Sequence, residues 1–171
     1  PGMHSAVLLG FKPHQLGVLA PGLQGLTGRH VAIHYLLAGL TLQQVQAAFP
    51  DAAEFVRVMP NLAARVNKSP VLLAQSGLSG PRKAQTGAFY DALGTALWLE
   101  SEEQFDVLTA LTGSGPGFVY RFIDALAQAA MRLGVDEADA TRLSIAMVDG
   151  AATLAAGADA PPSVLADRVA S

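Results

Sequence analysis

The residues with the most chemical potential form one short run. Thr112-Gly113-Ser114-Gly115-Pro116-Gly117 combines two hydroxyls with small residues. If Pro116 opens a helix, free backbone N–H groups and the helix dipole converge there on a small anion, a carboxylate above all. The same composition also describes a glycine-rich turn between two helices. It is not a dinucleotide fingerprint, because the run follows a helical segment and the sixth position of G-x-G-x-x-G would be Phe118. Lys12-Pro13 and Asn61 form a second set, each just past a strand-like run. Open α/β sheets bind ligands beyond such ends, where a Lys could reach a phosphate or ribose and an Asn offers both donor and acceptor. Ordinary turn residues would look the same. His30 and His34 stand four apart without a third ligand, and His4 and His14 do not converge on them, so no metal site is expected. No nucleophile elbow is visible. Glu100, Glu102 and Glu103 read as a solvated helix start favoured by the dipole.

The elements that must position these residues change character along the chain. Ala6–Phe11 reads as a buried strand stopped by Lys12-Pro13, and His30–Leu37 as a second apolar run before an Ala38-Gly39 turn. Thr41 can cap a helix through Phe49, with Leu42, Val45 and Phe49 on one face. Phe55–Met59, Val71–Gln75 and Ala96–Leu99 are further strand candidates, with a helix over Gly80–Leu93. Strands alternating with helices predict a largely parallel sheet. From Glu100 the pattern is helical only. One helix opens at Ser101 and runs towards Leu111, and residues 112–115 interrupt it. A second runs from Pro116 to Leu133 and stops at Gly134. A third is capped by Asp136, and a last begins near Ser163. Ala146, Gly150 and Ala151 would permit close helix–helix approach. The expectation is an α/β plus all-α chain. The change divides the chain into an α/β region over 1–99 and an all-α region over 100–171.

Composition agrees. The 171 residues are 51% hydrophobic and 15% charged, enough for a core, yet no uninterrupted apolar stretch is long enough to span a membrane. Net charge is −3, so no basic field favours nucleic acid. Residues 1–98 carry seven cationic and three acidic side chains, whereas 99–171 carry four and eleven. The first region tolerates an anionic ligand better than the second. With no Cys, disulfides and thiolate sites are excluded, which fits a reducing cytoplasm. Pro1-Gly2-Met3 is no signal peptide and reads as a cloning remnant.

Five pieces, in order, resemble the pyrroline-5-carboxylate reductase family. They are Val-Leu-Leu-Gly-Phe-Lys-Pro at 7–13, Ala-Gly-Leu-Thr-Leu at 38–42, Arg-Val-Met-Pro-Asn at 57–61, the run from Gln104 to Pro116, and Leu-Ala-Asp-Arg-Val-Ala-Ser at 165–171. The resemblance implies NADPH- or NADH-dependent reduction of 1-pyrroline-5-carboxylate, a cyclic imino acid, to L-proline in the cytoplasm. It implies a partial Rossmann-like cofactor domain over 1–99 and a helical dimerisation and substrate domain over 100–171, incomplete at its C-terminus, that builds a homodimer or higher homo-oligomer, without nucleic acid or membrane. By the same resemblance Phe11, Lys12, Pro13, Ala38, Gly39 and Asn61 line the cofactor, with Asn61 near the nicotinamide. Thr109, Thr112, Gly113, Ser114 and Gly115 belong to the substrate loop, with a hydroxyl of Thr112 or Ser114, or a water, as proton donor. Val169 and Ser171 begin the segment holding the substrate carboxylate.

The chain departs from the family pattern in ways that bear on activity. The family's opening strand, Gly-rich turn and first helix have no counterpart, nor does the Gly-Gly-Thr-like segment beyond Ser171. His14, Tyr35, Thr112, Gly117 and Arg168 replace the usual residue types. Two expectations follow: the bulk of a reductase, inactive in isolation, or a degenerate, non-catalytic dimerisation module of the same family.

Overall fold

A computed structural model describes residues 4–170, so Ser171 and the Pro1-Gly2-Met3 segment lie outside the described residues. The chain divides into two compact units, Pro1–Pro116 and Gly117–Ser171. The first is built on a five-stranded sheet: β1 (Ala6–Leu9), β2 (Ala32–Tyr35), β3 (Glu54–Met59), β4 (Ser69–Ser76) and β5 (Gly94–Trp98), in that spatial order. Helices α1 (Leu16–Leu23), α2 (Leu42–Ala48) and α3 (Gly80–Asp91) connect or flank the strands. β1, β2 and β3 are mutually parallel, as are β4 and β5. β3 and β4 are antiparallel, with Phe55 opposite Ser76 and Met59 opposite Leu72. The nine residues between β3 and β4 hold only a 3-10 turn at Leu62–Val66, too short for the crossover a parallel pair requires.

Both faces of the central strands are covered, which is why they read as apolar runs rather than alternating ones. Ile33, Tyr35 and Phe55 pack with Leu9, Val45 and Phe49 on the face carrying α1 and α2. Val56, Val58, Val71 and Leu73 pack with Tyr90 of α3 on the other. Thr41 closes the predicted cap at α2, accepting from the Gln44 amide at 3.2 Å while Gln44 Oε1 accepts from the Thr41 N–H at 2.9 Å. β1 departs from its expectation as a buried strand. It is an edge strand that ends at Leu9, and of its four residues only Leu9 is buried.

The largest departure lies in α4 (Glu103–Arg132), one unbroken helix of 30 residues. The expected interruption at 112–115 and the expected helix start at Pro116 are both absent. The second unit contains the rest of α4, then α5 (Glu137–Ala156) and α6 (Pro162–Ala170). Asp136 caps α5 as predicted, accepting from the Ala138 N–H at 3.0 Å. This unit buries little: Ala127, Ala140 and Ser144 are covered, whereas Phe118, Phe122, Leu143 and Leu154 stay exposed.

Candidate functional site

Because β1, β2 and β3 run parallel side by side, the residues leaving them share one edge of the sheet. Phe11-Lys12-Pro13 follows β1, Ala38-Gly39 follows β2, and Asn61 follows β3. Lys12 is exposed, and its N–H donates to Gln15 Oε1 at 2.9 Å, tying down the turn. Phe11 and Pro13 are half-buried, and Phe11 packs on the first core cluster. Ala38-Gly39 lies between Leu37 and Leu40, where the Leu40 N–H donates to the Leu37 carbonyl at 3.2 Å. Gly39 has φ +77° and an open surrounding, the conformation a type II turn demands at its third position. The backbone at this edge is therefore bare and accessible.

Asn61 joins this edge to α4. Its Oδ1 accepts from the Ala63 N–H at 2.8 Å, and its Nδ2 donates to the Thr112 carbonyl at 2.8 Å. That carbonyl lacks its ordinary helical donor, since the residue four positions on is Pro116, which has no N–H. The Thr112 hydroxyl donates back to the Leu108 carbonyl at 2.9 Å. Thr109 Oγ1 is buried without a hydrogen-bond partner, Ser114 is exposed and Gly115 is half-buried. The backbone-amide anion site expected at Gly113-Ser114-Gly115 is not formed. Only the first turn of a helix has free N–H groups, and these residues are well inside α4. The sheet edge, Thr109 and Thr112–Gly115 belong to the first unit; Val169 is an exposed residue of the second, and Ser171 is not described.

The sequence reading missed one side chain. Arg57 of β3 is almost completely buried; its Nη1 donates to Glu102 at 2.9 Å and its Nη2 to Asp106 at 3.1 Å. Its guanidinium lies 3.9 Å from the Phe105 ring centroid, while its Nε has no partner. Glu102 also accepts from the Leu42 N–H at 2.8 Å. Glu102 is thus a junction between β3, α2 and α4 rather than only a solvated helix start. The available signal was a lone Arg among the apolar residues Phe55–Met59.

The two histidines separate. His30 lies outside β2 and is exposed, whereas His34 is buried in β2 and shares a 2.8 Å hydrogen bond with Tyr90. His34 and Tyr90 line a groove of about 370 Å³ together with Leu8, Arg82 and Phe89. Burial, and secondarily the Arg82 charge, push the His34 pKa down to about 4, and burial pushes Tyr90 up to about 12. His34 therefore folds in its neutral form. Its stabilisation is present above about pH 6.5 and is lost as pH falls towards 4. Urea unfolding midpoints should drop between pH 7 and pH 5 in the wild type, and His34→Gln should flatten that dependence. A midpoint equally pH-dependent in the variant would contradict it.

A three-layered α/β sheet with ligand-facing residues at its carboxyl edge defines the class, a Rossmann-like oxidoreductase fold followed by a helical unit. Residues 102–171 match the family model described as pyrroline-5-carboxylate reductase dimerisation. The pyrroline-5-carboxylate reductase of Pseudomonas aeruginosa is 31% identical over 166 residues, covering 96% of this chain and 61% of its own length. That of Synechocystis is 33% identical over the same shares. A solved pyrroline-5-carboxylate reductase from Coxiella burnetii superimposes with TM-score 0.91 at 28% identity, covering 98% of this chain and 63% of that one. The chain belongs to the pyrroline-5-carboxylate reductase family, and it spans about three-fifths of the length of the curated relatives it matches.

Proposed function

We propose that this chain carries part of the cofactor-facing edge, the substrate segment and the helical dimerisation domain of a cytoplasmic NADPH- or NADH-dependent reductase that converts 1-pyrroline-5-carboxylate to L-proline. The functional division falls near residue 100, with 1–99 serving the cofactor and 100–171 serving substrate and dimer. The observation that carries this reading is the meeting of three strand ends with α4 through the Asn61–Thr112 bond. Phe11, Lys12, Pro13, Ala38, Gly39 and Asn61 would hold the nicotinamide side of a dinucleotide, which supplies hydride to the C=N carbon when bound. The fit is partial, because no G-x-G-x-x-G turn follows a strand among the described residues.

On the substrate side lie Thr109, Thr112, Gly113, Ser114 and Gly115, with Val169 and Ser171 serving the carboxylate. Ser114 suits proton delivery to the ring nitrogen better than Thr112, whose hydroxyl hydrogen is committed to the Leu108 carbonyl. A second reading, a non-catalytic dimerisation module, is favoured by the helical state of Gly113-Ser114-Gly115. A chimera separates them: these residues replace the matching 166 of the P. aeruginosa relative, and NADPH oxidation on 1-pyrroline-5-carboxylate is followed. A folded, dimeric and inert chimera would remove the reductase reading.

The dimer is proposed through α4 and α5, whose Phe118, Phe122, Leu143 and Leu154 are too apolar and exposed for a free surface. A Cβ at Gly150 would meet nothing within 4 Å, so no described crossing within the protomer uses the small residues there. They are then available to a second copy. Gly150→Leu should weaken the dimer by overpacking that crossing while leaving helix content unchanged. Sedimentation equilibrium of the unmodified chain showing a monomer at micromolar concentration would exclude this interface.

A further inference from the structure

We propose that Asn61 is a positioning residue: its side-chain amide stands in for the N–H that Pro116 lacks, and so keeps α4 helical through Thr112–Pro116. This deepens the reductase reading and rests on it for calling that stretch the substrate segment. A proline inside a helix leaves the carbonyl four residues earlier without its donor, and helices commonly kink or end there. Here the orphaned carbonyl is that of Thr112, and Asn61 Nδ2 donates to it at 2.8 Å. The other end of the same amide is also fixed, since Oδ1 accepts from the Ala63 N–H and the Asn61 N–H donates to Ser69 Oγ at 2.9 Å. The rotamer is therefore held from the sheet side before α4 is engaged.

Arg57 supplies a second anchor, four residues earlier on the same chain segment. Four extended residues advance about 13 Å. The matching step, from Glu102 just before α4 and Asp106 within it to Thr112, is six to ten residues, or about 9–15 Å at the helical rise. The two anchors thus agree in spacing, and the first part of α4, up to Pro116, is pinned along β3 in one register. That register decides where the Thr112 and Ser114 hydroxyls lie relative to the strand ends. Besides any contact its second N–H makes with a ligand, Asn61 serves the site through the helix it holds.

The test compares hydrogen exchange at Gly113, Ser114 and Gly115 in four proteins. Asn61→Ser keeps a short acceptor for the Ala63 N–H and is too short to reach Thr112. In the wild-type background it should speed exchange of those amides about tenfold, as expected for one carbonyl left unsatisfied, with the Leu73 amide of β4 unchanged. In a Pro116→Ala background, where residue 116 again has an N–H for the Thr112 carbonyl, the same substitution should change exchange by less than about twofold. Equal acceleration in both backgrounds, or none in either, overturns the proposal. Should Asn61→Ser fail to fold, a scalar coupling from Asn61 Nδ2 to the Thr112 carbonyl carbon in labelled wild-type protein decides it, and its absence overturns the proposal. These readouts need neither substrate nor cofactor, so an inert chimera removes the reductase reading without altering them.

Discussion

NADPH titrated at micromolar concentration into this chain gives no heat of binding. In dinucleotide folds much of the affinity comes from the pyrophosphate seated on a helix N-terminus, beneath a Gly-rich turn that lets the backbone approach. The glycine-rich stretch this chain offers is Gly113-Ser114-Gly115, in the interior of α4, where amides serve the helix and not a ligand. The proposed site leaves for a dinucleotide the edge formed by Lys12, Gly39 and Asn61, where one N–H and one lone pair of the Asn61 amide are already engaged. Two or three charge-assisted hydrogen bonds are missing at roughly 1.5–3 kcal/mol each, which lowers affinity on the order of a thousandfold or more. The chimera with the P. aeruginosa relative should recover binding, since the relative's remaining length would be present. Calorimetry detecting micromolar NADPH binding to the chain alone would mean that a phosphate cradle is built from other residues.

Most of the fold was legible because its signals are local. Thr41 announces α2, Asp136 announces α5, and the mostly apolar segment Phe55–Met59 of β3 needs no partner to be recognised. The errors around α4 come from partners distant in sequence. Thr112–Gly117 reads as a break because glycine and proline are helix breakers, and only a donor 51 residues upstream lets the helix continue. The sheet is largely parallel as expected, and its antiparallel β3–β4 pair is a consequence of a short connection. Glu102 looks solvated until Arg57 is placed beside it. The candidate site was legible to the same extent. Its strand-end residues follow from topology, but the Asn61–Thr112 bond and the Arg57 anchor required the tertiary structure.

Replacing both carboxylates around Arg57, Glu102→Gln with Asp106→Asn, should cost about 3 kcal/mol of unfolding free energy, because a buried guanidinium is left without a counter-charge. The two acids are unequal. Glu102 is only a quarter exposed and also receives the Leu42 N–H, whereas Asp106 is largely in water. Glu102→Gln alone should therefore account for most of the loss, and Asp106→Asn alone for less than about 1 kcal/mol, the range of exposed pairs. Arg57→Met should be milder than the double replacement, at about 1 kcal/mol. It removes the buried charge together with its already unpartnered Nε, and a thioether can still pack on Phe105. Urea unfolding of the four variants measures this order directly. If Arg57→Met were the most damaging, the guanidinium would stabilise the fold through its contacts rather than merely requiring neutralisation. The anchor at the start of α4 would then be as necessary to the helix register as the one at Asn61.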